Sequence, residues 1–396
     1  MPPSVERAYK IIAALLFLNY SVFMVGYFFF PDYNLQYKYF IRPLHILVLP
    51  GIFILWAAFW EVKNHPIFQL AILYMLYMLV SGFWSMPFEW YKFGQKSALV
   101  VYILSFIILT HFIRTWYPDG FDRMLRFSIV FAAVSAIVSL LWFYQDHPFP
   151  SARVTGIGSL TNVNEFANVY GVYALLAMAY GLKAAVPRHR AFYFSLVIIF
   201  LTFIWFGQSR TAFVSLFVAL LFLVISNREQ KKIKLLMLLV STGLLLGAAF
   251  PELLEKAWIR GSGPRPLIWK QFLTDVAQAP ILGQGLISQV SYHISGENFS
   301  TAHNAYLQAL WSGGAIGLAL FLMLLVSACR QAWRLGQEHG DFAILSILLF
   351  SAGVMFTGVD TLVDRPREQW MLFWFPLALL ISYQITGSRD YQRMAR

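Results

Sequence analysis

The sequence predicts an all-α polytopic membrane protein, and three observations carry that reading. Of its 396 residues, 59% are apolar, 18% aromatic and only 12% charged, too little charge to cover a soluble chain of this length. Apolar runs of roughly 17–25 residues recur from end to end, each long enough to cross a hydrocarbon core of about 30 Å. The runs lack the period-2 alternation of a barrel strand, so helices are left to satisfy every backbone group in lipid.

In order, the expected spans are roughly 9–30, 42–60, 66–85, 96–114, 124–145, 164–186, 191–206, 211–226, 233–250, 304–329, 342–360 and 370–386, about 12 crossings. The first apolar run, Ile11–Phe30, has no small-residue cleavage site after it and reads as a retained helix rather than a signal peptide. Residues 1–396 form a single membrane domain whose connections are short, except for a long loop over 251–303. That loop is densest in Gly, Pro and Ser, and so long a connection is either functional or disordered. A helical pattern within it argues for function.

The net charge of +11 is scattered between spans and forms no stripe alternating with exposed aromatics, so it does not describe a nucleic-acid binder. Its use is topological. Placing the N-terminus inside puts Arg7, Lys10, the clusters KAAVPRHR and NREQKKIK, Arg330, Arg334, Arg389, Arg393 and Arg396 in the cytoplasm. Both termini are then cytoplasmic and the long loop lies outside. The single Cys329 excludes an intramolecular disulfide and any multi-cysteine metal site.

The outer face receives fewer cations, among them Arg153, Arg210, Arg260, Arg265, Arg365 and Arg367. Snorkelling at a helix end accounts for any one of them. Arg153, Arg210, Arg265, Arg365 and Arg367 together, with few acids to pair them, point to an anionic ligand. A guanidinium fork matches phosphate bidentately, so a phosphate or diphosphate comes first.

Arg210 lies in WFGQSRTAF, where one span stops and the next begins. Ser209 or Thr211 is expected to cap the second helix, whose N-terminus favours anions. An interfacial arginine in a short turn is the competing reading, but an arginine held so tightly between spans is costly unless used. Arg265 lies in GSGPRPLIWKQFL, where Gly261 and Gly263 make a pliable turn and Pro266 fits the first position of a helix. Leu267, Ile268, Phe272, Leu273 and Val276 give that helix an apolar face, as for an amphipathic helix at the outer interface. A surface-loop arginine explains the segment equally well. PILGQGL then ends the helix in a glycine turn.

His303 lies in STAHNAYLQALWSGGAIGLALF, where the long loop re-enters the membrane. Metal ligation is disfavoured, because no His, Asp or Glu follows at i+3 or i+4 and His293 alone completes no ligand set. A structural histidine and a general base stay open. Nearby arginines are expected to depress the pKa of His303 and keep its ring neutral. Gly313, Gly314 and Gly317 read as a small-residue face for close helix packing. In GSLTNVNEFANVYG, Asn162, Asn164 and Glu165 open an outer helix, where capping is favoured over sugar binding by the amides. Asp360, Asp364, Arg365, Arg367 and Glu368 form a cluster whose default is internal ion pairing.

The segment His303–Asn304, nine residues, then Gly314–Ala315–Ile316–Gly317 resembles the His-(Asn/Ser/Gln)-x9-Gly-x-x-Gly motif of bacterial O-antigen ligases and related glycosyltransferases of the periplasmic face. The Arg210 turn, the PRPxxW segment around Arg265, PILGQGL and GSLTNVNEFA resemble that superfamily's recurrent blocks in the same order, from about Thr155 to Phe321. The resemblance implies a GT-C-like bundle in the bacterial inner membrane, and transfer of a glycan from an undecaprenyl diphosphate carrier to lipid A–core oligosaccharide. The reaction would invert the anomeric centre and need no metal, nucleotide or other cofactor. It implies His303 as general base and Arg210 and Arg265 as diphosphate ligands, with Arg153, Asn304, Arg365 and Arg367 as secondary candidates. No carboxylate is an obvious orienting partner for His303. Two related activities, O-antigen polymerase and protein O-oligosaccharyltransferase, fit similar loops. A transporter of an anionic lipid or solute is the alternative from another class, and it predicts charges near the bilayer midplane and an inverted repeat.

Overall fold

A computed structural model describes residues 3–227, 232–259, 261, 263–294 and 296–387. Arg228, Lys231, Arg260, Arg389, Arg393 and Arg396, used above in the orientation argument, lie outside the described residues.

The chain opens with α1 (Pro3–Gly26), α2 (Tyr33–Val62), α3 (Pro66–Ser81), α4 (Trp90–Trp116) and α5 (Pro118–Asp146). It continues with α6 (Val163–Lys183), α7 (Pro187–Phe206), α8 (Arg210–Ser226) and α9 (Lys232–Ala249). Boundaries follow local chemistry. Asp32 caps α2 by accepting from the amides of Asn34 and Leu35 at 2.7 and 2.9 Å. Prolines open α3, α5 and α7, where the missing N–H costs no helical bond.

The loop that follows is folded. It carries α10 (Pro251–Ile259), α11 (Arg265–Val276) and a two-stranded antiparallel hairpin, β1 (Tyr292–Ile294) with β2 (Glu297–Phe299). This hairpin is the exception to an otherwise helical fold. The chain then forms α12 (Ala305–His339), α13 (Ala343–Val354) and, after a π-helical turn over Trp370–Trp374, α14 (Phe375–Thr386). Among the described residues, every expected span falls on a helix. Six helices are long and apolar enough to cross a membrane, and shorter apolar helices accompany them. The protein is therefore an all-α, multi-pass membrane protein.

The closest partners are α6 with α7, α8 with α13, α1 with α2, α3 with α12 and α4 with α14. One continuous core runs through the bundle, with α6 buried on all sides from Phe166 to Ala179. A second, smaller core lies in the loop, where Ile268 and Phe272 of α11 pack on Ala302, Leu307 and Trp311. The apolar face expected for α11 is thus divided. Ile268 and Phe272 point inward, whereas Leu267 and Leu273 stay exposed on the opposite flank.

Two departures from expectation matter for the site. The penultimate span stops at Val354 rather than near residue 360, because Phe356 and Gly358 turn back onto the carbonyls of Gly353 and Val354. The residues after it are freed as a loop from Met355 to Arg367. The second concerns Gly314, at φ 64° and ψ −164°, which interrupts the backbone of α12. The PILGQGL turn fills that break. Gln284 and Gly285 donate to the carbonyls of Trp311 and Ser312 at 2.7 and 2.8 Å, and Ala315 donates to that of Pro280 at 2.8 Å. Close packing does explain Gly313 and Gly317, which lie against Tyr77 and Met78 of α3. Gly314 has the different task of opening the helix to the loop.

Candidate active site

The site gathers at one end of the bundle, where α6, α8, α11 and the segment before α12 meet. Arg210 is the first residue of α8, but the expected cap is not made. Ser209 forms no capping bond; its hydroxyl donates instead to Asn164 Oδ1 at 3.0 Å. Thr211 is engaged by the hydroxyl of Thr357 at 2.7 Å. No side-chain cap closes the first turn of α8, and its N-terminal dipole favours negative charge beside Arg210. Asn162 does cap α6, accepting from the amide of Asn164 at 2.9 Å.

Arg265 occupies the first position of α11, with Pro266 second, one residue later than expected. Gly261 and Gly263, at φ 54° and 62°, make the turn that presents it. Arg210 donates from Nη2 to the carbonyl of Gly261, so the two arginine segments touch. Burial, and then the neighbouring charge of Arg210, hold the Arg265 guanidinium below its ordinary pKa. Its Nε is buried without a hydrogen-bond partner. Two like charges pressed together in this way favour a ligand that carries negative charge.

His303 sits between β2 and α12 at φ 47°, a conformation that side chains other than glycine and asparagine seldom adopt. Trp269 donates to the carbonyl of Ala302 at 2.9 Å on one side. On the other, Asn304 caps α12 by accepting from the amides of Tyr306 and Leu307, each at 3.0 Å. The backbone is therefore held on both sides of His303. Its Nδ1 lies 3.0 Å from Asp360 Oδ1, an oxygen that also accepts from the Thr301 hydroxyl at 2.9 Å. This hydrogen bond raises the pKa of His303, outweighing the lowering by burial and by Arg265. The expected depression by arginines is overturned, because a carboxylate in contact acts more strongly than a cation farther off. Asp360 is held below the ordinary carboxylate range by His303, Thr301 and Arg367, against the opposing effect of burial.

Arg153, Arg210, Arg265 and His303 line one cavity of about 330 Å³, together with Asn164, Gln208 and Phe299. Among the described residues, Gln208 and His303 are the non-glycine positions at positive φ, and both face this cavity. Backbone strain of this kind concentrates where function requires a fixed geometry.

Three sequence candidates do not line it. Asn304 serves as the helix cap. Arg365 donates to Asn34 Oδ1 near the start of α2. Arg367 donates to Glu165 Oε1 at 3.1 Å. The acidic and basic cluster from Asp360 to Glu368 thus also pairs outside itself; its members reach His303, Asn34 and Glu165 on separate elements. Asp360 is the residue that sequence reasoning missed as the partner of His303. Its signal was an acid exposed beyond a span, with nothing to indicate a histidine on another segment.

A multi-pass membrane protein with a cationic, histidine-containing cavity at one end is the class that fold and site define. Comparison with known proteins narrows it. Residues 194–322 match the family profile described as O-antigen ligase. The chain is also 29% identical over 323 residues to the O-antigen ligase of Pseudomonas aeruginosa, covering 81% of this chain and 78% of that one. Both matches support the O-antigen ligase family for this protein. The profile includes Arg210, Arg265, His303 and Gly314 but ends before Asp360.

Proposed function

We propose that the protein is an inner-membrane glycosyltransferase that moves an O-antigen glycan from undecaprenyl diphosphate to a hydroxyl of lipid A–core oligosaccharide. The transfer takes place at the periplasmic face, with both termini cytoplasmic, and uses neither metal nor nucleotide. The observation that carries this reading is the convergence of Arg153, Arg210, Arg265 and His303 on one cavity.

In this reading Arg210 and Arg265 bind the diphosphate, with Arg153 as a third cation. The acceptor oxygen attacks the anomeric carbon, and the bond from that carbon to the diphosphate breaks with its electron pair leaving on the diphosphate. Guanidinium groups already in place offset the charge that grows there. The hydroxyl proton passes to Nε2 of His303. Asp360 faces Nδ1, so Nδ1–H is the donor to the carboxylate and the Nε2 lone pair is left to accept. A single displacement inverts the anomeric centre.

The test combines purified protein in detergent with a lipid-linked diphosphate glycan, a lipid A–core acceptor and EDTA, beside the His303→Ala variant. Wild type transfers glycan to the core, and the variant is slower by about 10²–10⁴-fold, the usual worth of a general base. Equal transfer by a folded variant removes the assignment of the base. Growth of the glycan on its lipid carrier, with none on the core, would make the protein a polymerase.

A further inference from the structure

Arg367 differs from the arginines of the cavity in where it points. Its guanidinium meets Glu165, which stands in the first turn of α6 with a mostly buried side chain. Glu165 follows Asn164, whose side chain accepts from Ser209, the residue before Arg210. On its other side, Arg367 belongs to the same loop as Asp360, the partner of His303. That loop is pinned, since Tyr27 donates to the carbonyl of Arg367 and Trp370 to that of Asp364, each at 2.9 Å. The histidine end and the arginine end of the cavity are thus tied to each other through one ion pair.

The neighbouring Glu368 is buried with Oε2 lacking a hydrogen-bond partner. Burial, and then Glu165 beside it, hold its carboxyl well above the ordinary range. The charge of Arg367 opposes this rise.

Resting on the reading above, we propose that Glu165 and Arg367 are positioning residues for His303: their ion pair fixes the base relative to the diphosphate end, and neither binds the donor. Four groups face His303. Asp360 and Thr301 touch its Nδ1, Arg265 approaches from α11, and Glu165 acts from α6. Asp360 and Glu165 favour the protonated ring and Arg265 opposes it. Removing the charge of Glu165 therefore lowers the proton affinity of the base.

The experiment measures kcat and donor KM against pH for full-length protein in detergent, using the lipid-linked diphosphate glycan. Variants are Glu165→Gln, Arg367→Gln and Arg367→Lys, with Arg265→Ala as the donor-binding comparator. Both glutamine variants are expected to lower kcat about tenfold, as loss of an outer supporting group does, with donor KM changed by less than about twofold. Glu165→Gln also moves the acid limb of the kcat profile to lower pH. Arg367→Lys keeps the charge and recovers part of kcat; it decides the question by the same split if Arg367→Gln does not fold. A rise in donor KM for an Arg367 variant matching that of Arg265→Ala overturns the proposal and makes Arg367 a donor ligand. An acid limb unmoved in Glu165→Gln overturns it by reducing the pair to a structural tie. If wild type itself transfers nothing, the ligase reading fails, and this proposal with it; failure confined to the variants leaves that reading standing.

Discussion

His303 combines a strained backbone with a hydrogen-bonded ring, and the two can be separated by substitution. Asp360→Asn retains the size of the partner and removes its charge. Because the carboxylate raises the pKa of His303, the neutral base is populated only above that raised value. The asparagine variant is expected to move the acid limb of kcat to lower pH while lowering kcat by about 10–100-fold. A pH–rate profile that keeps its limb would show that Asp360 does not govern the base. Arg210, Arg265 and His303 were legible in the sequence because each carries a local signal: an arginine between two spans, a Gly-Pro turn, a histidine at a membrane re-entry. Asp360 was not, since α12 and α13 separate it from His303 in the chain and only their packing brings the two together. The contact of Arg367 with Glu165 was not legible for the same reason. The charge of Arg367 and its side of the membrane suit a phosphate ligand, and only contact with Glu165 distinguishes it.

Among the elements, α12 is the one whose geometry departs most from what its composition describes. An apolar, glycine-containing run reads as an unbroken span, and the helix was legible as such. Its interruption was not, because Gly314 is open only in the presence of the PILGQGL turn. A Cβ at Gly314 would collide with the carbonyl of Ile281, and the position is at φ 64° with an extended ψ that is almost confined to glycine. Gly314→Ala is expected to destabilise the outer loop by about 2–4 kcal/mol, combining strain with the loss of inserted hydrogen bonds. Limited proteolysis should then cut within 280–288 in protein that is still inserted in the membrane. Gly340→Ala is the control. That residue has positive φ but open space around it, and the cost should be about 1 kcal/mol. Equal protease resistance in the two variants would mean that the turn is not held by the break.

The whole molecule is a bundle with chemistry at one end, and its orientation rests on the distribution of lysine and arginine. Cys329 is the sole cysteine, so Cys329→Ser gives a background for site-directed labelling. In intact cells with a permeabilised outer membrane, Glu297→Cys in the hairpin should react with an impermeant maleimide. Arg188→Cys should react only after the inner membrane is opened. The reverse pattern would invert the topology and place the cavity in the cytoplasm. At this scale the sequence was most informative, since hydropathy is read span by span and needs no tertiary contact. The break in α12 also bears on how the protein is made. Residues 280–285 leave the ribosome before residues 311–316, so the piece that completes this helix is synthesised ahead of the helix itself. Folding of the loop therefore sets the timing: α12 can reach its final form only once the preceding segment has taken its place in the break.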